Sequence, residues 1–204
     1  MKNYYLLWLL VFASTAGAET DNVTDSLRAI KNARTFTEEV IVPFIDRQTA
    51  LVEICKQANL ERASWGPYSD GWKEWTPEQA SKEKPSYDKA EYLWTVSKDA
   101  DFRKKHLNHP LQNEFVRFQK SNKSKISEIF IADAKGGNIF QTRLTTDWYQ
   151  GDEDKFYKAQ TTVWYDKPQY DSSTKSTGVH VSVPVIDEAK RICVVILLVT
   201  ADSQ

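Results

Sequence analysis

The sequence predicts an α+β fold in which an antiparallel sheet of about five strands is backed by a long N-terminal helix. Three observations predict it. From Thr24 to about Asn59 apolar residues recur at helical spacing. After residue 126 short β-rich runs alternate with turn signals. In Val179-His180-Val181-Ser182-Val183 the valines point one way while His180 and Ser182 share the other face, so one face of the sheet packs on helices and the other holds polar groups.

The chain opens with a secretory signal peptide over residues 1–18. Met1-Lys2-Asn3 carries one positive charge, an apolar run extends from Tyr4 to Phe12, and small residues end in the A-x-A site Ala16-Gly17-Ala18. That run is about half of what a membrane-spanning helix needs. Ile192 to Val199 is also too short to span, and no cysteine sits at the cleavage site to be acylated, so a mature protein free in the periplasm is expected. Residues 19–204 read as a single domain: an N-terminal helix (19–60), a Trp-rich and helical segment (61–125) and a sheet core (126–204). Loss of Lys2 takes the formal charge of the whole chain from −1 to −2. With no basic block, nucleic acid is not an expected partner.

Leu27, Ile30, Val40, Ile41, Phe44, Ile45, Leu51, Val52, Cys55 and Ala58 mark the helical stripe, and Pro43 makes it one kinked helix or two consecutive ones. From Glu61 to Asp88 turn residues are dense around Trp65, Trp72 and Trp75, predicting an irregular segment pinned by its tryptophans. Two shorter helices follow, through Tyr92, Leu93 and Val96 and through Leu111, Phe115 and Phe118, separated at His109-Pro110. Ser127 to Asp133 is a strand, Lys135-Gly136-Gly137-Asn138 a turn, and Asn138 to Leu144 the partner strand. Residues 152–160 read as helix, and strands follow at Thr161 to Tyr170, Thr177 to Val185 and Arg191 to Thr200. Cys55 and Cys193 sit in a chain routed to a disulfide-permitting compartment; they are either a bridge or two small buried hydrophobes.

Two blocks carry a family resemblance. IADAKGGNIFQTRLTTDWYQGDEDKF, Ile131 to Phe156, combines Ala-Asp, a Gly-rich turn, an apolar-Thr strand and Thr-x-Asp-aromatic-aromatic-Gln-Gly-Asp-Glu-x-Lys-aromatic. YDSSTKSTGVHVSVPVID, Tyr170 to Asp187, combines Asp-x-Ser-Thr-Lys with a Val-Ser-Val-Pro-Val-x-Asp strand. Both resemble the single Cache (PDC, PAS-like) extracytoplasmic sensor domains. The family's glycines after the last aspartate are replaced by Glu188-Ala189-Lys190-Arg191-Ile192-Cys193, which favours a structural role for the Cys193 thiol. The resemblance implies a PAS-like sheet and a free-standing periplasmic sensor. Such a sensor binds a small organic metabolite, an amino acid, amine or organic acid, and signals through a membrane receptor, kinase or cyclic-dinucleotide enzyme. It also implies a homodimer paired through the N-terminal helix.

In the family the ligand sits between the sheet and the segment joining its second and third strands, here about Arg143 to Tyr165. The candidate ligand residues are therefore Arg143, Asp147, Trp148, Tyr149, Trp164 and Tyr165, joined by His180 and Ser182 across the sheet. Arg143 suits a carboxylate, whereas Asp147 and the aromatics suit an amine. Set against this, Asp147 and Asp152 could simply cap a helix while Trp148 and Tyr149 fill core. No metal site is expected. Asp147, Asp152, Glu153 and Asp154 lack the spaced oxygen ligands of a calcium loop, and His106 and His109 lack acidic or thiolate company. The chain has no G-x-S-x-G, no H-E-x-x-H, no P-loop and no reactive-cysteine signature, so neither catalysis nor a cofactor is expected. The rival reading is a structural or interaction protein of the cell envelope that keeps the fold without a ligand.

Overall fold

The computed structural model describes residues 23–171 and 175–200, so the signal peptide and the Ser172-Ser173-Thr174 part of the second block lie outside it. Helix α1 covers residues 23–46 and continues through Pro43 without a break. A proline ring inside a regular α-helix collides with the carbonyl four residues earlier. Here the turn Thr37–Ile41 widens to π geometry, with the Val42 amide reaching back to the Thr37 carbonyl, and the helix absorbs the proline. After a short turn, α2 runs over Leu51–Glu61.

The segment predicted to be irregular contains a 3-10 turn at Gly71–Glu74 and a helix, α3, at Pro77–Lys82. The signal for α3 is local: Thr76 accepts from the Gln79 amide while the Gln79 side chain accepts from the Thr76 amide, a reciprocal cap with proline in the first turn. Helices α4 (Tyr87–Thr95) and α5 (Ala100–Leu107) are capped by Ser86 and Asp99, and α6 spans Gln112–Ser121.

Strands β1 (Ile126–Asp133), β2 (Asn138–Gln141), β3 (Trp164–Tyr165), β4 (Gln169–Asp171), β5 (Ser176–Asp187) and β6 (Lys190–Thr200) form one antiparallel sheet ordered β2-β1-β6-β5-β3, with β4 also pairing to β5. The expected strand at 161–170 is thus split by Asp166-Lys167-Pro168, because Pro168 has no N–H to give the ladder. Strand β2 stops at Gln141, and the helix expected at 152–160 is the single turn α7, Asp154–Tyr157. Between β5 and β6 the chain reverses through Glu188 and Ala189, both left-handed at φ 47° and 62°. The tight hairpin forms without a glycine.

Alternation on the sheet divides its two faces as expected. Val179, Val181, Val183 and Val185 of β5 and Val195, Leu197 and Val199 of β6 pack beneath Ala33, Ile41, Phe44, Leu51 and Ala58 of α1 and α2. Phe44 stacks on Phe118 of α6 at 3.8 Å between ring centroids and meets Phe115 edge-on. Cys55 and Cys193 form a disulfide that ties α2 to β6 inside this core, both residues fully buried.

Candidate functional site

The strand register assembles the opposite face row by row. Leu198 lies opposite Glu128 on one side and His180 on the other, so Glu128, Leu198 and His180 line up across β1, β6 and β5. The next row is Phe130, Ile196, Ser182 and Trp164, across four strands. Gln169 and Asp171 of β4 join from the edge, opposite Gly178 and Ser176. The segment after residue 151 roofs half of this face with apolar groups: Phe156 and Ala159 cover Phe130, Ala132, Val194 and Ile196. Lys155 lies over the Phe130 ring at 5.4 Å and pairs with Glu153 at 2.9 Å.

The other half is polar and buried. Glu128 is 3% exposed, His180 4% and Ser182 0%. His180 Nδ1 lies 3.3 Å from the Gln169 side-chain amide, and its Nε2 faces Asp171 Oδ2 at 3.7 Å, beyond hydrogen-bond reach. Neither His180 Nε2 nor Ser182 Oγ makes a hydrogen bond. Burial, reinforced by the nearby Lys155 charge and opposed by Asp171, pushes the His180 imidazole down to about 4, so it is neutral at pH 7. One acceptor atom each from Glu128, Asp171 and His180 falls within 4.8 Å of the others.

The DWYQG motif does a different job, visible in its contacts. The Gly136-Gly137 turn packs directly on it. A Cβ on Gly137 would stand 2.4 Å from the Trp148 ring, and one on Gly136, at φ 104°, would stand 2.3 Å from the Gly151 backbone. The Asn138 amide donates to the Trp148 carbonyl and the Gln150 amide to the Gly136 carbonyl, at 3.1 and 2.8 Å. From the other side Glu91 Oε2 accepts from the Trp148 and Tyr149 amides, at 2.8 and 2.6 Å. Beside this lock Asp133 holds the turn, accepting from the Lys135 and Gly137 amides, from Tyr87 Oη at 2.9 Å and from Arg62 at 2.7 Å. Arg62 also donates to the Gly137 and Asn138 carbonyls and lies 5.0 Å from the Trp148 ring. The motif thereby aims the 151–163 segment across the polar face of the sheet.

The eight residues expected to bind ligand therefore do not converge. Trp164, His180 and Ser182 share the polar face. Tyr165, the strand neighbour of Trp164, points to the helix side and lies under Arg34 at 5.1 Å. Trp148 is fully buried among Tyr87, Trp94, Phe102 and His106, Tyr149 stacks on Tyr68 at 4.0 Å, and Asp147 is held by Gln150. Arg143 is exposed. Missed from the sequence were Glu128, Lys155, Gln169 and Asp171. Glu128 stands two residues before Phe130 on β1 and so shares its face, which was the available signal.

No protein-family model and no curated protein matches the chain. Solved structures similar to it include the extracellular domain of rpHK1S-Z16, described as a histidine kinase, at 18% identity and TM-score 0.38 over 49% of this chain and 44% of that one. The ligand-binding domain of the Campylobacter jejuni chemoreceptor Tlp3, in complex with L-valine, aligns at 12% identity and TM-score 0.38, over 93% of this chain and 63% of that one. The sensor domain of the V. cholerae histidine kinase DctB aligns at 13% and 0.35, over 79% and 57%. The chain thus spans less than two thirds of each of these domains. The solved structures it is similar to are extracytoplasmic sensor domains of kinases and chemoreceptors, and at TM-scores below 0.5 its ligand has to be argued from its own residues.

Proposed function

We propose that this protein is a periplasmic ligand-binding sensor, with its pocket on the polar face of the sheet between Glu128, His180, Ser182 and Trp164 and the segment 151–163. The observation that carries the reading is the pair of buried, unpartnered polar atoms, His180 Nε2 and Ser182 Oγ, beside the buried Glu128 carboxylate. Each unsatisfied buried polar atom costs about 1–3 kcal/mol, a cost that a bound ligand offsets. The lining sets the ligand class. Glu128 and Asp171 receive a positive group, which suits a small amine or the amino group of an amino acid. The bound form would be read by a separate membrane receptor, kinase or cyclic-dinucleotide enzyme, and the signal peptide at residues 1–18 would deliver the protein to the periplasm. Among the described residues no helix is long and apolar enough to cross a membrane.

The exposed Arg143 and the core-filling Trp148 fit the alternative of a ligand-free structural protein. That alternative leaves His180 Nε2 and Ser182 Oγ unsatisfied. The test is thermal unfolding of the mature protein against amino acids, amines and organic acids. A ligand at a hundredfold its dissociation constant adds about 2.7 kcal/mol, a shift of several degrees. The hit should vanish in Glu128→Gln and survive Arg143→Ala. A broad panel without any shift would overturn the proposal.

A further inference from the structure

Three side chains from three strands converge above Leu198. Glu128 and His180 stand on either side of β6, one strand spacing away each, and Asp171 enters from the sheet edge on β4. All three come from sheet backbone, so their positions are set by the ladder and not by a loop. We propose that Glu128, Asp171 and His180 form a binding site for a divalent transition-metal ion with nitrogen and oxygen preference, of the zinc or nickel kind.

Two observations and the donor chemistry support it. The donor atoms already lie within 4.8 Å of one another, and His180 Nε2 and Asp171 Oδ2 are 3.7 Å apart. Ligands at about 2.0–2.2 Å from a zinc ion sit roughly 3.3 Å apart, near the 3.7 Å that already separates His180 Nε2 from Asp171 Oδ2. His180 Nε2 is buried, makes no hydrogen bond, and is aimed into the cluster. Gln169 stands 3.3 Å from the other ring nitrogen. Its amide nitrogen donates to Asp166 Oδ2 at 2.8 Å, and a metal on His180 Nε2 requires Gln169 to leave that bond and present its oxygen to the Nδ1 proton. One imidazole with two carboxylates suits zinc and its neighbours, whereas calcium and magnesium favour all-oxygen sites. Three protein ligands leave a fourth place in a tetrahedral shell for water or a ligand donor atom.

This inference rests on reading the polar face as the binding site, and it names what that face holds. The sequence pointed away from a metal because its histidine pair and its acidic run lie elsewhere, and these three ligands become neighbours only in the folded sheet. The test is calorimetric titration of the EDTA-stripped mature protein with zinc, nickel and calcium chloride, with thermal unfolding in parallel. Expected are one zinc or nickel ion per chain, a raised Tm, and no response to calcium. Asp171→Asn, at the sheet edge and tolerable to the fold, and Glu128→Gln should each weaken binding 10- to 100-fold, while Lys82→Ala, on the exposed face of α3, leaves it unchanged. Zinc binding that persists unchanged in both carboxylate variants places the ion elsewhere and overturns the site. If amines or amino acids raise Tm and zinc does not, the metal is refuted while the ligand-binding reading stands. If neither acts, both fall.

Discussion

The disulfide between Cys55 and Cys193 should be among the largest single contributors to stability in this chain. Its partners are 138 residues apart, and they join the second helix to the last strand. Closing a loop of that length in the unfolded ensemble is worth about 5 kcal/mol on the chain-entropy model. For a protein of this size each kcal/mol moves Tm by about 2–4 °C, so opening the bridge should lower Tm by roughly 10–20 °C. Both cysteines are fully buried, so a reductant reaches them only when the structure opens; the reduced state is best prepared by unfolding in reductant and refolding. Scanning calorimetry of the oxidised and reduced forms, with free thiols counted by alkylation and mass measurement, reads the difference directly. Cys55→Ala with Cys193→Ala should fall at or below the reduced form, since it also removes packed sulfur. A reduced protein with two confirmed thiols that melts within about 4 °C of the oxidised one would refute the reasoning.

Asp133→Ala should cost about 3–5 kcal/mol in urea unfolding, because it leaves the Arg62 guanidinium buried beside Trp148 without its carboxylate; a loss under about 1 kcal/mol would remove Asp133 from the centre of the lock. His106, 3% exposed, is pushed by burial down to about 4 from its ordinary 6.5. Between those values the unfolded chain binds the extra proton, so this contribution is whole above pH 6.5 and is lost as pH falls towards 4, on the order of 3 kcal/mol in all. His106→Phe should therefore lose less stability than the natural protein between pH 7 and pH 4, and an imidazole seen by NMR to titrate near 6.5 would contradict this. Glu188→Asn with Ala189→Gly puts the residues that tolerate left-handed backbone into the β5–β6 turn and should raise stability by about 1–2 kcal/mol; an unchanged urea midpoint would show the turn to be relaxed already.

The face on which His180 and Ser182 lie, the helical stripe through Leu51 and Cys55 and the hairpin turn at Gly136-Gly137 were all legible in the sequence, because each depends on a local period or a local backbone demand. The same rule separates Trp164 from Tyr165, since adjacent strand residues point to opposite faces, and grouping both in one pocket went against it. What the sequence did not contain is which strands become neighbours. Glu128 and His180 lie on one row only because β6, the last strand in the chain, inserts between β1 and β5. Likewise nothing within DWYQG shows that Trp148 fills the aromatic core, because the choice is made by Glu91 on α4 and by the missing side chain of Gly137. Periodicity along a chain determines the direction in which a side chain points; what it points at is decided by pairings between distant segments, and only the tertiary structure carries those.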